Sequence, residues 1–189
     1  MKTKEILVDI SILVRRKMRS YDYKRYPNEK DGWNNNDQNN MLDIFDVYHG
    51  EGLLYSVKCQ TVANIPGGIF MNTIAPGPFR IQAFVSPRAF YGRIHGICDT
   101  KTLSGDTINT SSIHPVMGKD GRTNIDFARW LVHDTQKCKP ERPMQLCRAA
   151  WSAGCFIMKP SDLEGLGSIL EAYKIHFDTY ITGELIEEQ

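Results

Sequence analysis

One cysteine of this chain has the neighbours that a reactive thiol needs. Cys155 ends the run Trp151-Ser152-Ala153-Gly154-Cys155 and precedes the apolar run 156–158. The small residues allow a tight loop whose backbone amides can point at a developing oxyanion, and Trp151 would form an apolar wall. The apolar run predicts a buried strand that would hold the sulfur in place. A buried structural cysteine can have the same neighbours, so the local pattern leaves both interpretations open.

A nucleophilic thiol also needs a base, and two of the five histidines are candidates. His133 lies in the apolar segment 130–134, which predicts a strand that ends before the loop leading to Cys155. A strand–loop–strand connection would bring the imidazole within hydrogen-bond reach of the thiol. His95, in the predicted strand 91–98, is the alternative. The other three are expected in loops or at the surface: His49, His114 and His176.

Short strands separated by turns account for most of the predicted secondary structure. Alternating or β-branched apolar residues predict these strands at 6–14, 42–48, 53–59, 69–74, 79–85, 91–98, 130–134, 156–158 and 180–187. The turn His49-Gly50-Glu51-Gly52 predicts a hairpin between the second and third of them. Residues 28–40 are rich in Asn and Asp and predict a loop.

One helix is predicted just before the last strand. Ser161 and Glu164 have the spacing of a capping box, in which each side chain accepts a hydrogen bond from the backbone amide of the other. Gly165 and Gly167 each cost about 1 kcal/mol relative to Ala, so the helix must be stabilised by packing. Its apolar face is expected to consist of Leu163, Leu166, Leu170 and Tyr173.

Together these elements predict a single β-dominated α+β domain over residues 1–189, with a mixed sheet or β-sandwich core. The chain has 41% hydrophobic and 24% charged residues, which is ordinary for a globular protein. No apolar run approaches the roughly 20 residues of a membrane-spanning helix. The short apolar segment 6–14 has no cleavage site typical of a secretion signal.

From His133 to Glu187, the order of residues resembles the catalytic domain of the L,D-transpeptidase family. That family has a strand histidine, a loop, a Ser-x-Gly-Cys motif, a buried strand, a short helix and a final strand. The matching parts here are His133, the loop 135–151, Ser152 to Cys155, the strand 156–158, the helix from Asp162 and the strand 180–186. Upstream, the run 65–70 (IPGGIF) is similar to the family's Thr-Pro-x-Gly-x-Phe turn, so the resemblance covers about residues 60–187.

The resemblance implies a cysteine acyltransferase that acts on peptidoglycan stem peptides through a thioester on Cys155. It implies catalytic roles for His133 and Ser152, and no metal or organic cofactor. An acceptor amine would resolve the thioester, whereas water would make the protein an L,D-carboxypeptidase. Residues 61–189 would form the catalytic core, and residues 1–60 would add N-terminal strands and the Asn-rich loop. The oxyanion and substrate are assigned to Gly154, Arg148, Trp151 and His95.

Two positions depart from the family pattern. His133 is followed by Asp134, where the family has Gly, and His95-Gly96 matches that dipeptide better. The Arg expected two positions after the cysteine is Ile157, and Arg148 in the loop is the expected substitute. A small phage-associated family, with an Ile-Pro-x-Gly turn and a His…Gly-Cys ending, is also similar. A second interpretation is therefore a non-catalytic or phage-associated cell-wall or structural protein that retains the fold.

The charges are distributed unevenly along the chain, although the formal net charge is only +1. Residues 1–30 carry nine Lys or Arg against four Asp or Glu, whereas residues 160–189 carry one against seven. The basic run 15–19 could contact nucleic acid or an anionic wall polymer. It lacks interleaved aromatic residues, so we expect a solvated face or loop and no nucleic-acid partner.

The cysteine and acidic-residue patterns predict no metal site. The five cysteines form no Cys-x-x-Cys pair, and their spacing from the histidines does not fit structural zinc. Asp31, Asn35 and Asp37 hint at a calcium loop, but the required Gly and terminal Glu are missing. Family resemblance implies a periplasmic or cell-wall location, and the absence of a visible signal leaves a cytoplasmic or phage-associated one open. The oligomeric state is not indicated.

Overall fold

The computed structural model describes residues 9–17, 43–62, 73–83, 95–103, 105–108, 115–117, 123–125, 130–134, 154–175 and 179–189. The first strands of this part of the chain are β1 (Ile10–Lys17), β2 (Asp43–His49), β3 (Gly52–Cys59), β4 (Gly77–Ala83) and β5 (His95–Cys98). Four short strands follow: β6 (Thr100–Lys101), β7 (Thr107–Ile108), β8 (Pro115–Met117) and β9 (Thr123–Ile125). The last elements are β10 (Leu131–Asp134), β11 (Phe156–Met158), the helix α1 (Pro160–Ala172) and β12 (Thr179–Glu188).

Eight strands form one mixed sheet in the order β11-β10-β5-β4-β12-β1-β2-β3. β1 pairs in parallel with β12, and β10 pairs in parallel with β11, whereas the other neighbours are antiparallel. The two ends of the sheet meet directly after β3. There the backbone N–H and C=O of Gln60 exchange hydrogen bonds of 2.9 Å with those of Ile157. The sheet therefore curls into a near-barrel.

The interior of the near-barrel is built by strands whose apolar residues recur with a period of two. In β4, Phe79, Ile81 and Ala83 are buried in the core, as their alternation predicts. In β1 the same face consists of Ile10, Ile12 and Val14. The core is completed from other elements by Phe45, Val47, Ile97, Val132, Phe156, Met158, Leu163, Leu166, Leu170, Ile181 and Leu185.

The predicted fold class is confirmed: the chain is β-dominated, its sheet is mixed, and one helix precedes the final strand. The predicted hairpin, and the predicted strands at 79–85, 130–134, 156–158 and 180–187, correspond to observed strands whose ends differ by at most two residues. The first strand is shifted toward the C-terminus, because β1 ends at Lys17 and so contains Arg15 and Arg16. The predicted loop 28–40 and the turn 65–68 lie outside the described residues.

The predicted capping box at the start of α1 is wrong. The helix begins at Pro160, and its N-cap, Lys159, makes no side-chain capping hydrogen bond. Proline suits the first helical position because its fixed φ is helical and its missing N–H would have no partner there. Ser161 therefore lies inside the helix, where its hydroxyl is 3.4 Å from a carboxylate oxygen of Asp162.

The apolar face of α1 is confirmed at its three leucines and wrong at its fourth member. Leu163, Leu166 and Leu170 are buried against the core, but Tyr173 lies at the C-cap and is 36% exposed. Gly165 shows how packing stabilises the helix, because any side chain there would collide with the ring and hydroxyl of Tyr55 on β3. The Tyr55 hydroxyl donates a hydrogen bond of 3.1 Å to the carbonyl of Asp162.

The prediction that the basic run is solvated is wrong for Arg16, which has 0% exposure. Its Nη1 lies 3.5 Å from Oε1 of Glu187, its register partner on β12. Arg15, on the opposite face, forms an ion pair of 2.7 Å with Asp46 and a longer one with Glu188. The parallel pairing of β1 with β12 thus sets basic residues from the start of the chain beside acidic residues from its end.

Candidate functional site

The parallel pairing of β10 and β11 sets the geometry around Cys155. His133 is the register partner of Ile157, and Val132 is the partner of Phe156. Cys155 directly precedes β11, so it lies beside Leu131. Side chains alternate along a strand, and His133 and Cys155 therefore lie on the same face of the sheet. Their backbone positions are one strand apart, about 4.8 Å across the sheet, and two residues apart, about 6.6 Å along the strand. The imidazole ring of His133 can bridge this separation.

His95 occupies the opposite face. It is the register partner of Val132 in the antiparallel pair of β5 and β10, and it shares the interior of the near-barrel with Val132. Its exposure is 2%. The backbone of the sheet therefore separates His95 from Cys155, and the structure brings His133 to the face of the cysteine.

Gly154 places the cysteine at the start of β11. It is buried and has φ of 126°, a backbone conformation that L-residues with a side chain rarely adopt. The chain thus turns into β11 at a position where glycine is required, and Cys155 follows as the first residue after the turn. The predicted site residues Arg148, Trp151 and Ser152 lie outside the described residues, and their roles stay predictions.

The thiol of Cys155 is partly buried, and its surroundings favour the protonated form. Burial raises its pKa to about 11, from an ordinary value of 9.0. Backbone hydrogen bonds at Leu131 and at Cys155 itself act in the opposite direction, because N–H donors stabilise a thiolate. In the resting protein at neutral pH, Cys155 is therefore a thiol.

The residue two positions after the cysteine forms an apolar wall. Ile157 on β11 is buried and lies beside His133 on β10. The resemblance to the L,D-transpeptidases leads one to expect an arginine at position 157. Its backbone carries the hydrogen bonds to Gln60 that close the sheet. The site therefore combines a thiol and an imidazole with an apolar surface in place of a guanidinium.

Residues 60–62, which we call the closure segment, follow β3 and meet β11 on the edge that faces away from β10. Gln60 pairs with Ile157, and its side-chain Nε2 donates a hydrogen bond of 2.9 Å to the carbonyl of Val62. The bridge is a single antiparallel one, and from it Thr61 and Val62 lead in the direction of Phe156 and Cys155. Thr61 and Val62 are buried.

A buried hydrogen-bonded network that the sequence did not predict holds the closure segment; it consists of Arg16, Asp43 and Thr61. Arg16 and Asp43 both bond to Thr61 from the interior of the near-barrel. A signal for Arg16 was present in the sequence, because Arg16 continues the period of two that buries Ile12 and Val14. The burial of Arg16 was not predicted because basic residues are usually exposed to solvent.

Gln82 is a second residue that the sequence analysis missed. It lies on the face of Cys155, in a register row that continues through Gly96 to Leu131. Its exposure is 4%, and its Oε1 accepts no hydrogen bond from the residues that the structure describes. A buried acceptor without a donor is uncommon in folded proteins and calls for an explanation. Nothing in the local sequence distinguished Gln82 from an exposed polar residue of an alternating strand.

Within the described ranges, no group of three or more His, Cys, Asp or Glu side chains is placed to hold a metal ion. The helix α1 has 13 residues, and neither its length nor its composition would allow it to cross a membrane.

Comparison with known proteins gives one relative by sequence and a weak likeness to solved structures. No known family model matches the chain. An uncharacterized protein of Treponema pallidum (strain Nichols) is 32% identical over 188 residues, which cover 95% of this chain and 81% of that protein. L,D-transpeptidase 1 of Mycobacterium tuberculosis is 10% identical, and an L,D-transpeptidase from Mycobacterium smegmatis is 11% identical, each with a TM-score of 0.34. Both likenesses cover 94% of this chain but only 62% and 59% of those structures, so the chain spans about three fifths of their length. A TM-score this low assigns neither fold nor activity.

Proposed function

This chain belongs to the same family as the uncharacterized protein of Treponema pallidum, and we propose that it is a cysteine acyltransferase acting on peptidoglycan stem peptides. The observation that carries the proposal is the pairing of β10 with β11, which sets His133 and Cys155 on one face. The substrate class is supported by the resemblance of the motif ending in Cys155, and of the order of elements around it, to the L,D-transpeptidases.

The proposed reaction begins with attack of the Cys155 sulfur on a peptide carbonyl carbon. Because the pKa of the thiol is about 11, His133 takes the thiol proton as the S–C bond forms, rather than holding a standing thiolate. Backbone N–H groups at Gly154 and Cys155 stabilise the oxyanion. The C–N bond then breaks, and the leaving amine takes the proton from the imidazolium of His133, which leaves a thioester on Cys155.

An acceptor amine completes the cycle. It attacks the thioester carbonyl and loses a proton to His133, and the Cys155 sulfur leaves and recovers that proton. The acceptor is thereby joined to the stem peptide through a new amide bond. Water in place of the amine would yield a free carboxylate, which is the L,D-carboxypeptidase reaction.

A carbapenem tests this proposal, because its strained amide acylates such a cysteine and the adduct stays on the protein. We expect the intact mass to increase by one carbapenem, and the increase to be lost in Cys155→Ala. Cys98→Ala is a matched control, since Cys98 is a buried cysteine on β5, and it should be acylated like the wild type. Absence of an adduct, or an adduct that survives Cys155→Ala, would contradict the proposal. Incubating a stem tetrapeptide with and without an amine then separates transpeptidase from carboxypeptidase activity.

Two observations favour a second candidate, a non-catalytic wall-associated protein. Burial raises the pKa of the Cys155 thiol to about 11, and the position of the expected arginine is Ile157. Such a protein would sediment with purified peptidoglycan, would do so equally well as Cys155→Ala, and would not react with the carbapenem. These two measurements together distinguish the two candidates.

A further inference from the structure

Every polar group of Thr61 is bonded to one of two oppositely charged, fully buried side chains. Arg16 Nε donates to the Thr61 hydroxyl over 2.8 Å, and Arg16 Nη2 donates to the Thr61 carbonyl over 3.2 Å. Asp43 Oδ2 accepts from the Thr61 backbone N–H at 2.9 Å and from its hydroxyl at 2.7 Å. These four bonds hold the middle of the closure segment from the interior of the near-barrel.

Arg16 and Asp43 are in turn held by the neighbouring strands. Asp43 Oδ1 accepts a hydrogen bond of 3.1 Å from the backbone of Lys17, and Arg16 faces Glu187 on β12. Burial lowers the pKa of the Arg16 guanidinium, and the carboxylates of Asp43 and Glu187 oppose that change. Buried charges are tolerated when they are paired and hydrogen-bonded in one arrangement. The network therefore connects β12, β1 and β2 to the closure segment and fixes the position of the closure segment relative to these strands.

β11, which Cys155 directly precedes, lies between β10 and the closure segment. Gln60 is fixed to Ile157 by two backbone hydrogen bonds, and because this bridge is antiparallel the chain leaves it in the direction of Phe156 and Cys155. Gln60 therefore covers the edge of β11 that faces away from β10. Because Gln60 is bonded to Ile157, the position of the closure segment is coupled to that of β11 beside β10, on which the approach of His133 depends.

We propose that Arg16, Asp43 and Thr61 are positioning residues for Cys155. By fixing the closure segment from inside the near-barrel, they keep the thiol desolvated and in register with His133. They act through the backbone of the closure segment. Their effect on the environment of the thiol stands on the structure alone, whereas their effect on acyl transfer rests on the proposed function.

The placement of the charged groups indicates that the network affects the Cys155 thiol by positioning the backbone rather than by a direct charge interaction. Among the described residues of β10, the titratable side chain on the face of Cys155 is that of His133. The closure segment contains no titratable residue. Arg16, Asp43, Cys59 and Glu187 lie on the other side of the sheet. The pKa of Cys155 is raised by burial, and the opposing causes are two backbone hydrogen bonds.

Thr61→Val tests the proposal, because it keeps the shape of the side chain and removes the hydroxyl. Thr61→Ser restores the hydroxyl and serves as the rescue variant. Asp46→Asn is the matched control, since Asp46 is a buried carboxylate of the same strand, β2, that bonds to Arg15 on the opposite face. Iodoacetamide labelling of Cys155, followed by peptide mass between pH 7 and 11, reports the thiol, and circular dichroism confirms that each variant is folded.

In Thr61→Val we expect water to reach the thiol, so that its pKa falls from about 11 toward 9.0. Labelling at pH 8 should then be about tenfold faster, because the gain in thiolate exceeds the loss of nucleophilicity. Thr61→Ser and Asp46→Asn should keep the wild-type profile. Carbapenem acylation of Thr61→Val should change in the opposite direction and become about tenfold slower, because the register with His133 is loosened.

A wild-type labelling profile in folded Thr61→Val overturns the inference, whatever the carbapenem does. If Thr61→Val does not fold, Asp43→Asn decides the matter, since it retains the shape of Asp43 and must move the profile in the same direction. If the wild type takes up no carbapenem while Thr61→Val shows the faster labelling, the proposed function fails and the inference about the thiol stands.

Discussion

His133 and Cys155 share one face of two adjacent parallel strands, with an offset of two residues in register. A shift of one residue in that register would turn one of the two side chains to the other face of the sheet. The pair therefore depends on how β10 and β11 are held, by β5 on one side and by the closure segment on the other.

His133→Gln should slow acylation of Cys155 by a carbapenem by about 100-fold or more, because a general base contributes a factor of this size. The rate is measured by intact mass against time at pH 7. His49→Gln is the control, since His49 is an exposed residue at the end of β2, and its rate should equal that of the wild type. Acylation of His133→Gln at the wild-type rate would remove His133 from the mechanism.

The raised pKa of Cys155 predicts a loss of stability in alkaline solution. Between pH 9.0 and about 11 the folded protein retains a proton that the unfolded chain has released. The free energy of unfolding therefore falls as the pH rises, with a slope of about 1.4 kcal/mol per pH unit, and levels off once the folded thiol is also ionised. Below pH 9 this contribution is fully present. Urea unfolding at several pH values measures the slope.

Cys155→Ala provides the reference for that measurement. Tyr55 also has a raised pKa, because of burial and the nearby Asp162 carboxylate, and it adds a loss of the same sign at higher pH. The difference between wild type and Cys155→Ala isolates the cysteine. A difference that is independent of pH from 8 to 11 would show that the folded state does not perturb the thiol.

Gly154→Ala should destabilise the protein by about 1–3 kcal/mol, because the alanine must adopt a sparsely populated backbone conformation. The strain lies at the turn into β11, so labelling of Cys155 should change as well. Gly105→Ala is a matched control, since Gly105 also has positive φ, at 89°, and a Cβ there meets open space. It should cost stability and leave Cys155 labelling unchanged. Equal labelling in both variants would argue against a special role for Gly154.

Gln82→Leu should stabilise the protein by about 1 kcal/mol, because it removes a buried acceptor that has no donor among the described residues. Gln60→Leu makes the same chemical change on the same face, but it removes a side-chain hydrogen bond to Val62, and it should destabilise by a similar amount. Urea unfolding of the two variants measures both effects. A loss of stability in Gln82→Leu would mean that Oε1 is satisfied in solution.

Local patterns were sufficient for much of the fold. The strands at 79–85 and 180–187 could be predicted because burial alternates along them, and the β2–β3 hairpin because its turn is rich in glycine. The capping box failed because Pro160 is better suited to the first helical position than any residue that follows it. The burial of Arg16 was not predicted because a basic residue is usually exposed, although Arg16 continues the alternation of buried residues along β1.

The site could be predicted only as a cysteine with two alternative histidines. His133 and His95 both lie in apolar strands, and their distances along the sequence do not reveal which face each occupies. That is decided by register, which depends on pairing between strands far apart in the chain. The network behind the closure segment has the same origin, because Arg16, Asp43 and Thr61 meet only once β1, β2 and the end of β3 are assembled.

The position of β12 has a consequence for how the protein is made. It is a central strand, paired with β1 on one side and with β4 on the other, and its partners Ser11 and Thr182 are 171 positions apart. A nascent chain emerging from the ribosome therefore carries β1 and β4 with the backbone groups that pair with β12 still unpaired, until residues 179–188 have been synthesised. Contacts this distant in sequence form slowly, and exposed strand edges invite association with other chains. Truncations that remove β12 should consequently accumulate as aggregates rather than as smaller folded proteins.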